Sequence, residues 1–369
     1  MTKALPIGLD VGHATVRMLQ LAGNRRDLRV ISAARFVVPQ EVREDAPLRR
    51  EAVVEAVRRA LREHPFRRRE AVMALAPEQM GVRNIRLPAM SEEERATAVN
   101  WEAQNKFPFD TATAVIQHLR AGQVHQGDQV LDETILLAAP RVEIEDRLAL
   151  AAEAGLDLVS LDTGCSALFR GFERFLQRRE DEEVVSALVD LGARTTVVIA
   201  RGREIVFVKN IPIGGAIFNR AVAECLELSV TEAEALRRRT GRRASEAAEE
   251  AERSDQVGRA VGDAIRPHLE DLASEIGLCL RYFAVTFRGA PVESVVLTGG
   301  EAHDPAIPAV LGERLGVRVE VGDPLRGVRT DQLPPVLDRR GCRSEWATVF
   351  GLSLKGLYLA DGLVAPAAA

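Results

Sequence analysis

The sequence predicts an α/β fold of two duplicated lobes, and three observations carry that prediction. A short apolar strand runs into Asp-x-Gly, a small or hydroxyl-rich turn and a second apolar strand at Ile7-Gly8-Leu9-Asp10-Val11-Gly12-His13-Ala14-Thr15-Val16-Arg17. The pattern returns at Ala187-Leu188-Val189-Asp190-Leu191-Gly192-Ala193-Arg194-Thr195-Thr196. A third apolar strand, Ser294-Val295-Val296-Leu297, ends in Thr298-Gly299-Gly300. One Asp-x-Gly is an ordinary hairpin, because turns favour Asp and Gly. Two copies between apolar strands, with a late Gly-Gly turn, suit two similar halves clasping a nucleotide. Gly12 and Gly192 are expected to take positive φ and bring bare backbone N–H groups near a phosphate chain. Asp10 and Asp190 repel phosphate and are expected to hold Mg²⁺ through its waters. Arg17 supplies positive charge.

Taken in order, residues 5–11, 15–21 and 28–38 read as three apolar strands, with the second turn at Asn24-Arg25-Arg26-Asp27. Residues 47–63 form a helix, with Val53, Val54, Val57 and Leu61 at helical spacing. Ala71–Leu75 reads as a buried strand, and Val82–Leu87 alternates like a half-buried one. Pro88 breaks the pattern. Ser91 and Glu94 form a capping box for a helix to about Lys106, which stops at Phe107-Pro108-Phe109-Asp110. Strands near 112–122 and 129–138 follow, joined by a polar loop from Val124 to Gln129. A helix over 141–154 stops at Gly155. The second half opens near Val159 and repeats the strands at 184–190, 195–200 and 204–208. Gly214-Gly215 opens a helix to about 226, and a charged helix spans Ser229–Arg239. Gly241–Asp255, rich in Arg, Glu, Ala and Ser, reads as a solvated tip. A long helix runs to about 286, with a bend or an interruption expected at Pro267. Strands near 294–298 and 317–321 flank a helix, a last helix covers 345–357, and Val364–Ala369 is a tail. Strand-strand-strand-helix-strand-helix, given twice, describes the actin-like (ribonuclease H-like) two-lobed architecture.

At 369 residues and 46% apolar content, the chain can fill two domains or one bilobed unit. A net charge of −5, from 49 basic and 54 acidic residues, argues against a protein that coats nucleic acid. Aromatic residues make up 4%, too few for stacking platforms on single strands. Cys165, Cys225, Cys279 and Cys342 show no C-x-x-C spacing and read as buried thiols of a reducing compartment. No stretch reaches the ~18 apolar residues of a membrane helix, and the N-terminus lacks the apolar region of a signal peptide. The expected location is therefore the cytosol, with any membrane contact made through a partner.

Two segments carry a family resemblance. One is Leu87-Pro88-Ala89-Met90-Ser91-Glu92-Glu93-Glu94, followed by Trp101-Glu102-Ala103-Gln104-Asn105-Lys106-Phe107-Pro108-Phe109. The other is Ile211-Pro212-Ile213-Gly214-Gly215, followed by Glu232-Ala233-Glu234-Ala235-Leu236-Arg237. They resemble the L-P-x-(L/M)-x-x-x-E, E-A-x-x-x-(I/F)-P-F and G-G…A-E-x-x-K patterns of the PilM family, actin-like cytosolic proteins of the type IV pilus inner-membrane platform. The resemblance runs from about Pro6 to Leu357 and extends more distantly to the division protein FtsA. It implies a first lobe beginning with residues 1–80 and an FtsA-type insertion subdomain at 81–157. It implies a second lobe at 158–363, with a nucleotide-side subdomain and a C-terminal return helix, and a tail at 364–369.

The resemblance also implies ATP and Mg²⁺ as ligands. Asp10, Gly12, His13 and Arg17 match the first phosphate loop, and Asp190, Gly192, Thr195 and Thr196 the second. Gly214 and Gly215 match a sharp turn into the next helix, which reads equally as close helix packing. Glu234 and Arg237 match the pair near ribose and adenine, and Gly299 and Gly300 the adenine-side turn. The family usually has Lys at the positions of Arg17 and Arg237, and a small Ser-like residue at His13. Arg17 keeps the charge and can grip phosphate bidentately. His13 donates to the terminal phosphate, crowds the site or points to solvent.

Hydrolysing actin-fold proteins orient water with a glutamine or acid near the helix that links the lobes. Leu161–Ala167 offers Asp162 and no glutamine. Asp162 reads as a weak water-orienting base or as the cap of a helix over 163–176. Little or no ATPase activity is expected. The resemblance implies an adaptor whose closed, ATP-bound state receives the cytoplasmic N-terminal tail of a PilN-like inner-membrane protein, near Leu87–Pro108. ATP and tail then share a preferred state, which couples their affinities. Trp101, Gln104, Asn105 and Phe107 are the candidate tail contacts. Trp101, Phe107 and Phe109 read equally as the subdomain's own core. Pilus motor or platform proteins are candidate further partners. The expected location is the cytoplasm, at the inner face of the membrane. An FtsA-like filament and a small-molecule kinase using Asp190 or Asp162 as base remain open, although the final Gly-Leu-Val-Ala-Pro-Ala-Ala-Ala lacks the cationic face of a membrane anchor.

Overall fold

The computed structural model describes residues 3–126, 129–176, 179–243, 251–287, 291–329 and 343–360. The first lobe opens with β1 (Ala4–Val11), β2 (Thr15–Asn24) and β3 (Asp27–Val37), then α1 (Ala46–Glu63) and β4 (Glu70–Leu75). An insertion follows: β5 (Gly81–Pro88), α2 (Glu92–Lys106), β6 (Ala114–Gln126), β7 (Gln129–Pro140) and α3 (Arg141–Glu153). The chain returns through β8 (Asp157–Thr163) and α4 (Gly164–Glu173). The second lobe holds β9 (Val185–Leu191), β10 (Thr195–Arg201), β11 (Glu204–Ile211), α5 (Gly215–Leu226), α6 (Val230–Arg243) and α7 (Ala251–Phe287). It continues with β12 (Ser294–Thr298), α8 (Ala306–Leu315) and β13 (Arg318–Val321), and α9 (Ala347–Ala360) closes the described chain.

Two five-stranded sheets run β3-β2-β1-β4-β8 and β11-β10-β9-β12-β13, the same order twice. In each, an antiparallel meander of three strands joins parallel crossover strands. The strand-rich duplication expected from the two Asp-x-Gly hairpins is present. β1, β2, β9 and β10 are covered on both faces, which is why they read as near-continuous apolar runs.

β8 is the edge strand of the first sheet, paired in parallel with β4 from Glu70–Asp157 to Leu75–Thr163. The first sheet therefore reaches past residue 158, where the sequence places the start of the second lobe. The return helix α9 packs on β1 and β2 of the first lobe and against α4. That approach needs glycine. A Cβ on Gly8 would meet the Val349 carbonyl at 2.3 Å, and one on Gly351 would meet the Ala167 carbonyl at 1.7 Å. The crossing of α4 and α9 thus joins the lobes through near-contact of two backbones.

The insertion has its own three-stranded sheet, β5-β7-β6. Along β7 the side chains alternate with the pleat. Leu136 and Ala138 pack with Val99 and Ala103 of α2, whereas Ile135, Leu137 and Ala139 join the core of the second lobe. The insertion therefore leaves the first lobe in sequence and buries one sheet face against the second. Polar contacts reinforce this seam. Arg86 Nη2 donates to Thr286 Oγ1 at 3.3 Å, and the Tyr282 hydroxyl donates to Glu133.

Side-chain caps set several helix starts, and the box expected before α2 is present. Asp45 caps α1 by accepting from Leu48 N at 3.0 Å. Ser91 and Glu94 form the capping box of α2, with Ser91 N donating to Glu94 Oε2 at 2.9 Å. Ser229 and Glu232 repeat the exchange before α6. Three expectations shift. β6 pairs with β7 out to Gln126–Gln129, so strand replaces most of the polar loop expected from Val124. α7 runs through Pro267 without the interruption that was one of the two alternatives there. Cys225 is exposed, while Cys165 and Cys279 are buried. Of the expected tip, 241–243 end α6 and 251–255 begin α7; residues 244–250, Cys342 and the tail at 364–369 lie outside the described residues.

Candidate functional site

The two hairpins and the Thr298-Gly299-Gly300 turn converge at the cleft between the lobes. Asp10 lies opposite Arg17 in the first hairpin. Arg17 Nη1 sits 3.5 Å from Asp10 Oδ2, and its Nη2 donates to Glu345 Oε2 at 2.8 Å. Arg35 Nε reaches the same Glu345 oxygen at 3.3 Å. Asp190 lies beside Thr298 in the parallel pair of β9 and β12, and the Thr298 hydroxyl donates to Asp190 Oδ1 at 3.0 Å.

Electrostatics distinguish these carboxylates. Burial pushes the Asp190 pKa up to about 6; the negative charge of Asp10 adds to the rise, and the Thr298 hydrogen bond and Arg17 oppose it. Burial also raises Asp10, against the pull of Arg17. For Glu345, burial alone would raise the value, but Arg17 and Arg35 outweigh it and hold the carboxyl below its ordinary range. Arg17 Nε is buried with no hydrogen-bond partner among the described residues. Two half-buried carboxylates beside Arg17, whose charge Glu345 already engages, suit a cation that restores charge balance. Among the described residues no group of three or more His, Cys, Asp or Glu could hold a metal directly. A cation held by Asp10 and Asp190 would keep a largely water-filled coordination shell, the form Mg²⁺ tolerates best.

The glycines act differently from expectation. Gly12 N–H donates to the Thr15 carbonyl at 3.0 Å and Gly192 N–H to the Arg194 carbonyl at 3.0 Å. Neither takes positive φ. Closing each hairpin uses the N–H that was expected to face phosphate. Positive φ occurs instead at Gly299, at 92°, where a Cβ would stand 2.4 Å from the Leu191 carbonyl. Gly214 also serves close approach, since a Cβ there would stand 2.8 Å from the carbonyls of Gly192 and Ala193. Gly215 N–H donates to the Gly192 carbonyl at 2.9 Å, which seats α5 on the second hairpin. Gly300 lies beside Arg17, 3.6 Å from its Nη2 when measured from an added Cβ.

The remaining sequence candidates are accounted for by their neighbours. Thr195 Oγ1 donates to the Ile213 carbonyl at 2.6 Å, and Thr196 Oγ1 to Asn210 Oδ1 at 3.0 Å. His13 is half-buried, with Nε2 3.7 Å from Glu44 Oε1. Burial lowers its pKa, which favours a neutral ring at neutral pH. Arg237 donates to Asn219 Oδ1 at 2.6 Å, pairs with Glu301, and has an Nε without a partner among the described residues. Glu234 is engaged by Arg43 and Arg238.

Asp162 is neither the cap of α4 nor free to orient water. Thr163 is the cap, accepting from Ser166 N at 3.2 Å. The Asp162 carboxylate is buried between Arg170 Nη1 at 2.9 Å and Lys355 Nζ at 3.2 Å, at the crossing of α4 and α9. Two cations neutralise it and leave it a structural anion.

Sequence reasoning missed Thr298, Glu345, Arg35 and Arg43. Thr298 had a signal, since it directly precedes the Gly-Gly turn. The other three are single charged residues in polar or mixed segments, without local marks.

A second concavity, about 510 Å³ in volume, lies where the first lobe, the insertion and the second lobe meet. Residues 77–84, Pro108, Phe109, Pro140, Glu143 and 208–210 line it. Two sheet edges face it, β5 of the insertion and β11 of the second lobe. Of the expected tail contacts, Phe107 is buried in the insertion core and stacks on Phe109 at 5.4 Å between ring centres. Trp101 is 62% exposed on α2, and Gln104 and Asn105 are exposed beside it. None of these three lines the concavity.

Residues 8–357 match the model of a protein family described as type IV pilus assembly protein PilM. Among solved structures, the chain is similar to a PilM-PilN type IV pilus biogenesis complex. Identity is 25% over 95% of this chain and 98% of that one, with a TM-score of 0.77. It is similar in fold to the ethanolamine utilization protein EutJ from Carboxydothermus hydrogenoformans, at 14% identity over 96% and 90% of the two chains and a TM-score of 0.56. MreB5 of Spiroplasma citri bound to ADP is a further likeness, at 12% identity over 98% of each chain and a TM-score of 0.50. The two mixed sheets are those of the actin-like fold.

Proposed function

The chain belongs to the PilM family of type IV pilus assembly proteins, and on that premise we propose that it is an ATP-binding adaptor for the cytoplasmic tail of a PilN-like membrane protein. The observation that carries this reading is the concavity walled by both lobes. Its lining includes β5 from the insertion and β11 from the second lobe. An extended peptide can add to such strand edges through main-chain hydrogen bonds. The similarity to a protein of a PilM-PilN complex supports a PilN-like occupant.

The cleft supplies the nucleotide half of the proposal. Asp10 and Asp190 would hold Mg²⁺ through its waters, and Arg17, anchored by Glu345, would supply positive charge beside the phosphates. Mg²⁺ supplies charge that both phosphate and the buried carboxylates lack. Arg237 and the Gly299-Gly300 turn lie on the nucleoside side. Closure of the lobes then shifts the first-lobe side of the concavity, residues 77–79, relative to β5 and β11. Tail and nucleotide favour the same closed state, so each raises the affinity of the other. Asp162 is locked between two cations, so hydrolysis is slow. Among the described residues no helix is long and apolar enough to cross a membrane. The partner's tail therefore brings the chain to the inner face of the membrane.

Calorimetry with tail peptides of PilN-like proteins from the same source tests this. Tail affinity is expected to rise when ATP and Mg²⁺ are added. Equal affinity with and without nucleotide overturns the coupling, and absence of ATP binding overturns the nucleotide reading.

A further inference from the structure

The cleft is bridged by an ion pair that the nucleotide reading leaves without a role. Arg43 follows β3 in the first lobe, and Glu234 lies in α6 of the second. Arg43 Nη1 donates to Glu234 Oε2 at 2.6 Å and Nη2 to Oε1 at 3.3 Å. Both side chains are buried, 4% and 10% exposed. Arg43 is aimed from its own lobe, with Nε donating to the Val38 carbonyl at 2.9 Å and Nη1 also engaging Gln40. Arg238 pairs with Glu234 from one helical turn away.

Another cross-lobe pair, Arg194 with Glu78 at 3.6 Å, is half exposed on both sides. Exposed pairs contribute little. A buried, two-pronged pair is different, because its two charge-assisted hydrogen bonds are directional and little screened by solvent. Arg43–Glu234 is thus a buried cross-lobe ion pair that resists separation, on the nucleoside side of the cleft, as Arg17–Glu345 is on the phosphate side.

Glu234 is also the residue assigned to the nucleoside side. A carboxylate accepts at about four lone-pair positions, and Arg43 and Arg238 already use both oxygens. A ribose hydroxyl needs an acceptor of that kind. We propose that Arg43 is the gate of the cleft: it holds the nucleotide-free lobes together through Glu234, and a nucleoside enters or leaves only when that grip is released. The nucleoside part of this inference rests on the ATP-binding reading; the closure part does not. Arg43 is a positioning residue, since it acts through Glu234.

The test uses the full chain without nucleotide. Hydrogen exchange is followed in residues 38–46 and in α6 for wild type, Arg43→Gln, Glu234→Gln and the double variant. Arg43→Gln is expected to raise exchange in both segments about tenfold, within the range of coupled charged pairs. The double variant should add little beyond either single change. Arg43→Lys, which keeps the charge and loses the fork, should fall between. Release of a fluorescent ATP analogue, timed in wild type and Arg43→Gln, should quicken by a similar factor. Wild-type exchange in folded Arg43→Gln, or additive effects in the double variant, overturns the gate. Should Arg43→Gln fail to fold, Glu234→Gln and Arg43→Lys carry the exchange test. If wild type takes up no ATP analogue, the ATP-binding reading fails, while hydrogen exchange still decides whether Arg43 closes the cleft.

Discussion

Asp190→Asn is expected to stabilise the nucleotide-free protein while weakening its hold on Mg-ATP. The Asp190 pKa stands at about 6 in the fold, against an ordinary 3.8. At 1.36 kcal/mol per pH unit, that difference amounts to about 3 kcal/mol. The sign follows from proton binding. Between pH 4 and 6 the folded state holds the Asp190 proton more tightly than the unfolded chain does. Stability therefore falls as pH rises through this window, and the full cost of burying the charge is present above it. Asparagine carries no charge, and its Oδ1 still accepts from Thr298, so the variant avoids the cost and keeps the hydrogen bond. Thermal melts without nucleotide should place Asp190→Asn about 5 °C above wild type at pH 8. The gap should narrow as pH falls from 6 to 4. Adding ATP and Mg²⁺ should raise the wild-type midpoint and shift the variant far less. A variant less stable than wild type at pH 8, or a gap independent of pH, refutes the reasoning.

Asp162→Asn removes one charge from a buried group and leaves Arg170 and Lys355 facing each other; it should cost about 3 kcal/mol of stability in denaturant melts and leave slow phosphate release unchanged. A wild-type protein that releases several phosphates per second, and loses this in a folded Asp162→Asn variant, would give Asp162 a catalytic role. Trp101→Ala should leave stability within about 0.5 kcal/mol, because the ring is 62% exposed. It should leave affinity for the PilN-like tail unchanged by calorimetry, because Trp101 does not line the concavity; a loss of about tenfold would make α2 a docking anchor. Unchanged tail affinity would confine docking to the concavity between β5 and β11.

Features that were legible in the sequence depend on contacts only a few residues long. The Asp-x-Gly hairpins could be read because each pairs neighbouring strands, Asp10 with Arg17 and Asp190 with Thr196. The α2 capping box spans three residues and could be read for the same reason. The family patterns from Leu87 to Phe109 and from Ile211 to Arg237 also named the insertion and the charged helix. Tertiary structure alone decided what these pieces meet. β8 reads as the opening of the second half, yet it pairs with β4 and completes the first sheet, because parallel pairing links distant segments without a local signal. Gly12 and Gly192 carry the motif, yet positive φ falls to Gly299, because that is where the chain passes the Leu191 carbonyl. Trp101 and Phe107 share one segment and opposite fates, set by which face of the insertion sheet lay open. Glu345 meets Arg17 across 328 residues, and Arg43 meets Glu234 across 191. Local composition cannot register such partners, because only the folding of two lobes around one cleft brings their charges out of water together.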